Sequence, residues 1–228
     1  MARSGHRATA PALGAVTFDM DGLLVDSEPV WFRAESAVME RLQGTWAHGD
    51  QDALVGGSMA TTVAYLLSKG TKPAEPAEVA RWLLDAMVDL LAKAPALALP
   101  GALELVAEVQ AAGLPYALVT SSEPAVVDAV LANLDVDFPV IVCAADVSHA
   151  KPDPEGYLLA AAKLGVEPQQ AIALEDSVNG VRAAETAGYR TVAVPSVVPV
   201  PQRPGRIVLE TLAGVTLSEL TTRAGLAR

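Results

Sequence analysis

The stretch Asp19-Met20-Asp21-Gly22 constrains this chain more than any other. The apolar run Ala15-Val16-Thr17-Phe18 precedes it and Leu23-Leu24-Val25 follows. A short apolar run ended by acids and a glycine reads as a buried strand. Side chains alternate along extended backbone, so two carboxylates separated by one residue point the same way. Their repulsion is costly unless a cation or a proton relieves it. Gly22 permits a sharp turn just beyond them. Such a pair suits a reaction in which one carboxylate attacks an electrophile and the other moves protons.

Downstream the pattern changes twice. Residues 29–43 carry apolar side chains at helical spacing, and two more helices are expected over 58–69 and 76–93, the last opened by Pro76. No strand is expected between Asp26 and Leu97. After Leu99-Pro100-Gly101 the chain alternates. Helices are expected over 102–112, after Pro124, over 154–164, over 178–187 and near 216–223. Strands are expected over 115–119, 140–143, 171–175, 190–194 and 206–209. This alternation predicts an α/β fold, a Rossmann-like doubly wound parallel sheet with helices on both faces. The expected domains are a flexible tail (1–13), a core (14–25 and 97–228) and an inserted helical cap (26–96). The cap enters after the first strand's C-terminal end, the edge where open parallel sheets bind ligands. It is placed to act as a lid.

Composition excludes several functions. A net charge of −11 lacks the basic face that nucleic-acid binding needs. No long uncharged apolar run predicts a membrane span, and residues 1–13 lack the apolar stretch of a signal peptide, so a cytoplasmic protein is expected. The single cysteine, Cys143, follows Val140-Ile141-Val142 and reads as a buried thiol. Three scattered histidines make no ligand set. Aromatic residues are only 4%, which together with the acidic surface is compatible with a monomer.

Four polar groups fall just after expected strands: Asp19 with Asp21, then Thr120-Ser121-Ser122, then Lys151, then Glu175-Asp176. In a parallel sheet these ends share one edge and converge. Each group alone has an ordinary reading: Ser177 suits the N-cap of a helix starting near 178, Thr120 or Ser122 serves equally as a cap, and a lone lysine is commonly a surface charge.

With Asp19-Met20-Asp21-Gly22, Thr120-Ser121, Lys151-Pro152 and Glu175-Asp176-Ser177 in this order, the chain resembles the haloacid dehalogenase-like superfamily, over nearly its whole length after residue 13. The resemblance implies that Asp19 attacks phosphorus and forms an aspartyl-phosphate. It implies that Asp21 protonates the leaving oxygen and then activates water. Thr120 and nearby N–H groups, with Ser121, would bind phosphoryl oxygens, and Lys151 would neutralise charge. The implied cofactor is Mg²⁺, held by Asp19, the backbone carbonyl of Asp21 and Asp176, with Glu175 supporting the site. An aspartate at position 21 points to phosphatases and phosphomutases rather than dehalogenases or ion pumps.

Within that superfamily the chain looks most like the branch of β-phosphoglucomutases and small sugar-phosphate phosphatases. Asp26-Ser27-Glu28-Pro29-Val30-Trp31 and Ala173-Leu174-Glu175-Asp176-Ser177-Val178-Asn179-Gly180 resemble its 2-deoxyhexose-phosphate phosphatases. Mutases carry a histidine where this chain has Trp31 and an arginine where it has Met59. Methionine cannot grip a second phosphate as arginine does. The expectation is a Mg²⁺-dependent phosphomonoesterase acting on a small sugar or polyol phosphate. The alternatives are a β-phosphoglucomutase-type mutase and a non-catalytic binding protein on the same fold. Glu28 and Trp31 are candidate substrate contacts, with a solvated hinge and cap packing as their ordinary readings. Met59 is expected to pack inside the cap.

Overall fold

In the computed structural model, which describes residues 11–227, the run before Asp19 forms strand β1 (Ala15–Phe18). A short strand β2 (Val25–Asp26) leads into helices α1 (Glu28–Arg41), α2 (His48–Asp52), α3 (Met59–Lys69) and α4 (Pro76–Lys93). Strand β3 (Leu97–Ala98) returns antiparallel to β2. The chain then alternates through α5 (Ala102–Ala111), β4 (Tyr116–Val119), α6 (Pro124–Leu131), β5 (Val140–Val142), α7 (Glu155–Leu164), β6 (Ala171–Glu175), α8 (Val178–Ala187), β7 (Arg190–Ala193), β8 (Ile207–Val208) and α9 (Leu217–Arg223).

The main sheet has the order β5-β4-β1-β6-β7-β8, and every neighbouring pair is parallel. This is the expected α/β architecture. The central strands β1 and β6 are buried throughout, as strands covered on both faces must be. Their alternation sorts small from large side chains. Ala15, Ala117, Ala171 and Ala173 face Tyr157, Ala160, Ala183 and Ala184 of α7 and α8. Val16, Phe18, Leu118, Ile172 and Leu174 cluster on the other face with Leu105 and Val109 of α5, Val126 of α6 and Leu220 of α9. The alanine face brings α7 and α8 close to the sheet, which matters for the site below.

From β1 the chain builds outward to β4 and β5, then crosses back to β6 on the other side. The strand order therefore reverses at the C-terminal end of β1, where a crevice opens. The helical block emerges at this point. Within it, α4 buries Val79, Leu83, Met87 and Leu91 at four-residue intervals, one face of a helix, against Val38, Met39, Leu42 and Leu66. α4 also packs on α6 of the main layer.

Two features escape periodicity. The β2–β3 ribbon, tied further by Leu99 N–H to the Leu24 carbonyl (3.0 Å), is two residues long on each side. α2, with the sequence His-Gly-Asp-Gln-Asp, has no apolar stripe. Other helix and strand ends fall within about two residues of expectation, the usual scatter at frayed ends. Residues 1–10 of the expected tail lie outside the described residues. Residues 11–13 run beside the C-terminal segment: Leu13 N–H donates to the Ala227 carbonyl and Ala227 N–H to that of Pro11, both at 2.8 Å. Among the described residues, no helix is long and apolar enough to cross a membrane.

Candidate active site

The four polar groups at the strand ends meet above β1. Lys151 sits at the centre. Its ammonium donates to Asp19 Oδ1 at 2.5 Å, Glu175 Oε1 at 2.6 Å and the Val119 carbonyl at 2.9 Å, which satisfies all three of its protons. Burial alone would push the ammonium pKa down. The two carboxylates outweigh that and hold it above the usual lysine range. Lys151 is therefore a fixed positive charge beside Asp19.

One cation does not balance three acids. Asp19, Glu175 and Asp176 are buried, and each brings an oxygen within 4.8 Å of the others. Burial raises Asp19 well above the usual carboxylate range; Glu175 and Asp176 add to this, and Lys151 opposes it. Burial likewise lifts Asp176 to about 7, against the Ser196 hydroxyl, which donates to its Oδ2 at 2.6 Å. Glu175 Oε1 also accepts from the Tyr157 hydroxyl of α7, while Oε2 is buried with no partner. An all-oxygen set with surplus negative charge and an unsatisfied oxygen fits a hard divalent cation. Glycines let the acids crowd. A Cβ at Gly22, where φ is +79°, would overlap the Asp176 carboxylate, and one at Gly180 in α8 would overlap that of Glu175.

Asp21 is not part of this cluster. Its Oδ1 accepts from the Ser27 hydroxyl at 2.6 Å and the Trp31 indole N–H at 3.0 Å. Its Oδ2 accepts from the Ser122 hydroxyl at 2.7 Å, with Thr120 Oγ1 at 3.5 Å. Ser27 and Trp31 belong to the start of α1, and Ser122 follows β4. The Asp21 carboxylate thus joins the helical block to the main layer. Thr120 Oγ1 accepts the Ser122 N–H at 3.1 Å. Ser121 Oγ is buried without a partner. Ser177 caps α8 as expected, accepting Gly180 N–H at 3.1 Å. Cys143 is buried, its thiol directed to Asp146.

These residues and the helical block enclose a cavity of about 80 Å³. Its far wall carries Glu28, Trp31, Glu35 and Gln51, then Gly56 to Met59. Met59 lines this cavity as well as packing on the core, where the sequence reading has it only packing inside the cap. The block is latched closed by Asn179 Nδ2, which donates to the Gly56 carbonyl at 3.2 Å. Gln51 Nε2 donates to the Glu28 carbonyl (2.7 Å) and to Glu28 Oε2 (2.8 Å). Burial and the neighbouring acids Asp21, Asp26 and Asp52 push Glu28 up to about 7. Burial and Glu28 push Glu35 up to about 8.

Sequence reasoning missed Ser122 as a partner of Asp21, and it missed Glu35 and Gln51 altogether. Gln51 lies on α2, which has no periodic signal. Glu35 did leave one: a carboxylate between Ala34 and Val38 in the apolar stripe of α1 is a buried acid, the exception that calls for an explanation.

Comparison with known proteins follows from this geometry. The model of the haloacid dehalogenase-like hydrolases matches residues 13–188. Hexitol phosphatase B of Escherichia coli K12 is 36% identical over 214 residues, covering 92% of this chain and 95% of that protein. Protein CbbY of Rhodobacter capsulatus is 32% identical over 196 residues, covering 81% and 86%. The crystal structure of CbbY from Rhodobacter sphaeroides in complex with phosphate superposes with a TM-score of 0.83 at 30% identity, covering 91% of this chain and 99% of that one.

Proposed function

The chain belongs to the haloacid dehalogenase-like hydrolases and is a phosphatase of that family, and from this premise we propose that it hydrolyses a small sugar or polyol phosphate through an aspartyl-phosphate on Asp19. The observation that carries the reading is the pairing of two differently held carboxylates. Asp19 is buried beside Lys151, while Asp21 faces the cavity in a cradle of hydroxyl and indole donors.

Asp19 is the nucleophile, and Lys151 orients it and offsets charge on the transferring phosphoryl group. Thr120, Ser121 and adjacent N–H groups receive the phosphoryl oxygens; the Ser121 hydroxyl, without a partner, is available for this. Asp21 gives a proton to the departing alkoxide and then takes one from the water that opens the aspartyl-phosphate. Asp19 and Asp176 would hold Mg²⁺ with the Asp21 carbonyl, and Glu175 would support the set. The ion would offset the repulsion between an attacking carboxylate and a phosphate dianion. The roles of hexitol phosphatase B and CbbY support a sugar or polyol phosphate as substrate, and a crystal structure of CbbY holds xylulose-(1,5)bisphosphate. The closed cavity favours a small metabolite over a polymer or protein.

The test is phosphate release from hexose, deoxyhexose, pentose and polyol phosphates, phosphoglycolate and β-glucose-1-phosphate, with Mg²⁺ and with chelator. Chelator-sensitive release from the sugar or polyol phosphates is expected. Conversion of β-glucose-1-phosphate to glucose-6-phosphate without release, once the bisphosphate is added, would make the protein a mutase.

A further inference from the structure

Glu35 is a buried acid that the reaction does not use. It is 3% exposed, on a face of α1 whose other buried residues are Val30, Ala34, Val38 and Met39. Among the described residues no lysine or arginine pairs with it, and its Oε2 has no hydrogen-bond partner. The Trp46 indole N–H is likewise buried and unpartnered. Leaving a carboxyl oxygen buried and unsatisfied costs about 1–3 kcal/mol, whereas leucine at this position would simply extend the stripe. A polar group kept there at such a cost calls for a partner that arrives from outside.

The geometry says where that partner comes from. Glu28, Trp31 and Glu35 are spaced i, i+3 and i+7 on one face of α1, and all three line the cavity that holds Asp19 and Asp21. Trp31 bonds Asp21, so Glu35 lies about one helical turn, roughly 6 Å, further from the reacting end. A leaving group that departs past Asp21 and runs along Trp31 reaches Glu35 after several carbons. We propose that Glu35 forms a subsite for the distal hydroxyl groups of an uncharged, polyhydroxylic leaving group, and that it is a specificity-determining residue; this rests on the phosphatase reading above.

Charge supports the word uncharged. Lys151 is the only lysine or arginine lining the cavity, and it is fully engaged with Asp19, Glu175 and Val119. A second phosphate at the cap end would meet Glu28 and Glu35 with no cation, an arrangement that repels it. A hydroxyl suits the site, because it both donates and accepts. The elevated pKa of Glu35, about 8, keeps the carboxyl largely protonated near neutrality, so it too can do both.

The experiment is a chain-length series of terminally phosphorylated polyols, from glycerol phosphate to hexitol phosphate, assayed on wild type, Glu35→Leu and Glu35→Gln. Glu35→Leu is expected to lower kcat/KM by about tenfold or more on the pentitol and hexitol phosphates, mainly through KM. The drop on glycerol phosphate, too short to reach, is much smaller, and Glu35→Gln recovers most of the loss. Wild type alone gives a second readout: removing one distal hydroxyl from the hexitol phosphate raises KM by about tenfold. An equal loss at every chain length, with indifference of wild type to distal deoxygenation, would make Glu35 a structural acid and overturn the proposal. Absence of phosphate release by wild type from the whole series would instead remove the phosphatase reading beneath it.

Discussion

Asp21 is held by residues that arrive from two directions, and that arrangement makes a prediction at the scale of single side chains. Ser27 and Trp31 grip one oxygen from the start of α1; Ser122 grips the other from the end of β4. An acid that must both give and take a proton needs a fixed position more than it needs a fixed charge. Trp31→Phe keeps the wall and removes one donor, so kcat is expected to fall by about tenfold, equal to about 1.4 kcal/mol of barrier, with the melting temperature little changed. An unchanged kcat with a raised KM would leave Trp31 as a wall alone. The residues of this site were unequally legible. Asp19, Lys151, Glu175 and Asp176 stand at strand ends, and a parallel sheet gathers its strand ends, so order along the chain foretells their meeting. Ser122 reads as an ordinary cap, and Glu35 hides in an apolar stripe. Their roles come from tertiary placement, which no local spacing encodes.

At the scale of elements, α8 is tuned to the acid cluster. Gly180 sits inside this helix, where alanine has the better intrinsic propensity by roughly 1 kcal/mol. A methyl group there collides with the Glu175 carboxylate, which Lys151 and Tyr157 hold from the other side. Gly180→Ala is expected to displace Glu175 and lower kcat/KM by about tenfold or more, through the same loss of Lys151 geometry that a 1 Å misplacement brings. Activity at the wild-type level, with a stabilised helix, would show that Glu175 has room to move. The apolar strands and the four-residue stripe of α4 were readable because burial imposes a period. The β2–β3 ribbon and α2 were not, because two strand residues or five polar helical residues carry no period. They are nevertheless the parts that join the helical block to the main layer and supply Gln51.

At the scale of the whole molecule, buried acids link stability to pH. Glu35 is raised to about 8 and Glu28 to about 7, from an ordinary value of 4.5. Between about pH 4.5 and 8 the folded chain therefore holds more protons than the unfolded chain at these positions. The stability they allow is present in full below pH 4.5 and is lost as pH rises through 7 to 8. Glu35→Gln removes its share of this slope. The metal-free variant is expected to match wild type near pH 4.5 and to exceed it by on the order of a few kcal/mol at pH 9, read from denaturant unfolding at each pH. A difference independent of pH would place Glu35 in contact with a compensating charge. Taking the difference between the two proteins cancels the contributions of Asp19 and Asp176.

The central claim is that Asp19 carries the phosphoryl group and Asp21 releases it. The direct measurement is acid quench of Asp21→Ala during turnover of its best substrate with Mg²⁺, followed by peptide mass analysis. The account predicts a phosphoryl group on Asp19, accumulating because its hydrolysis lacks a base, and none in Asp19→Asn. Phosphate release by Asp21→Ala with no trapped phosphoryl group, or a phosphoryl group on another residue, would contradict it.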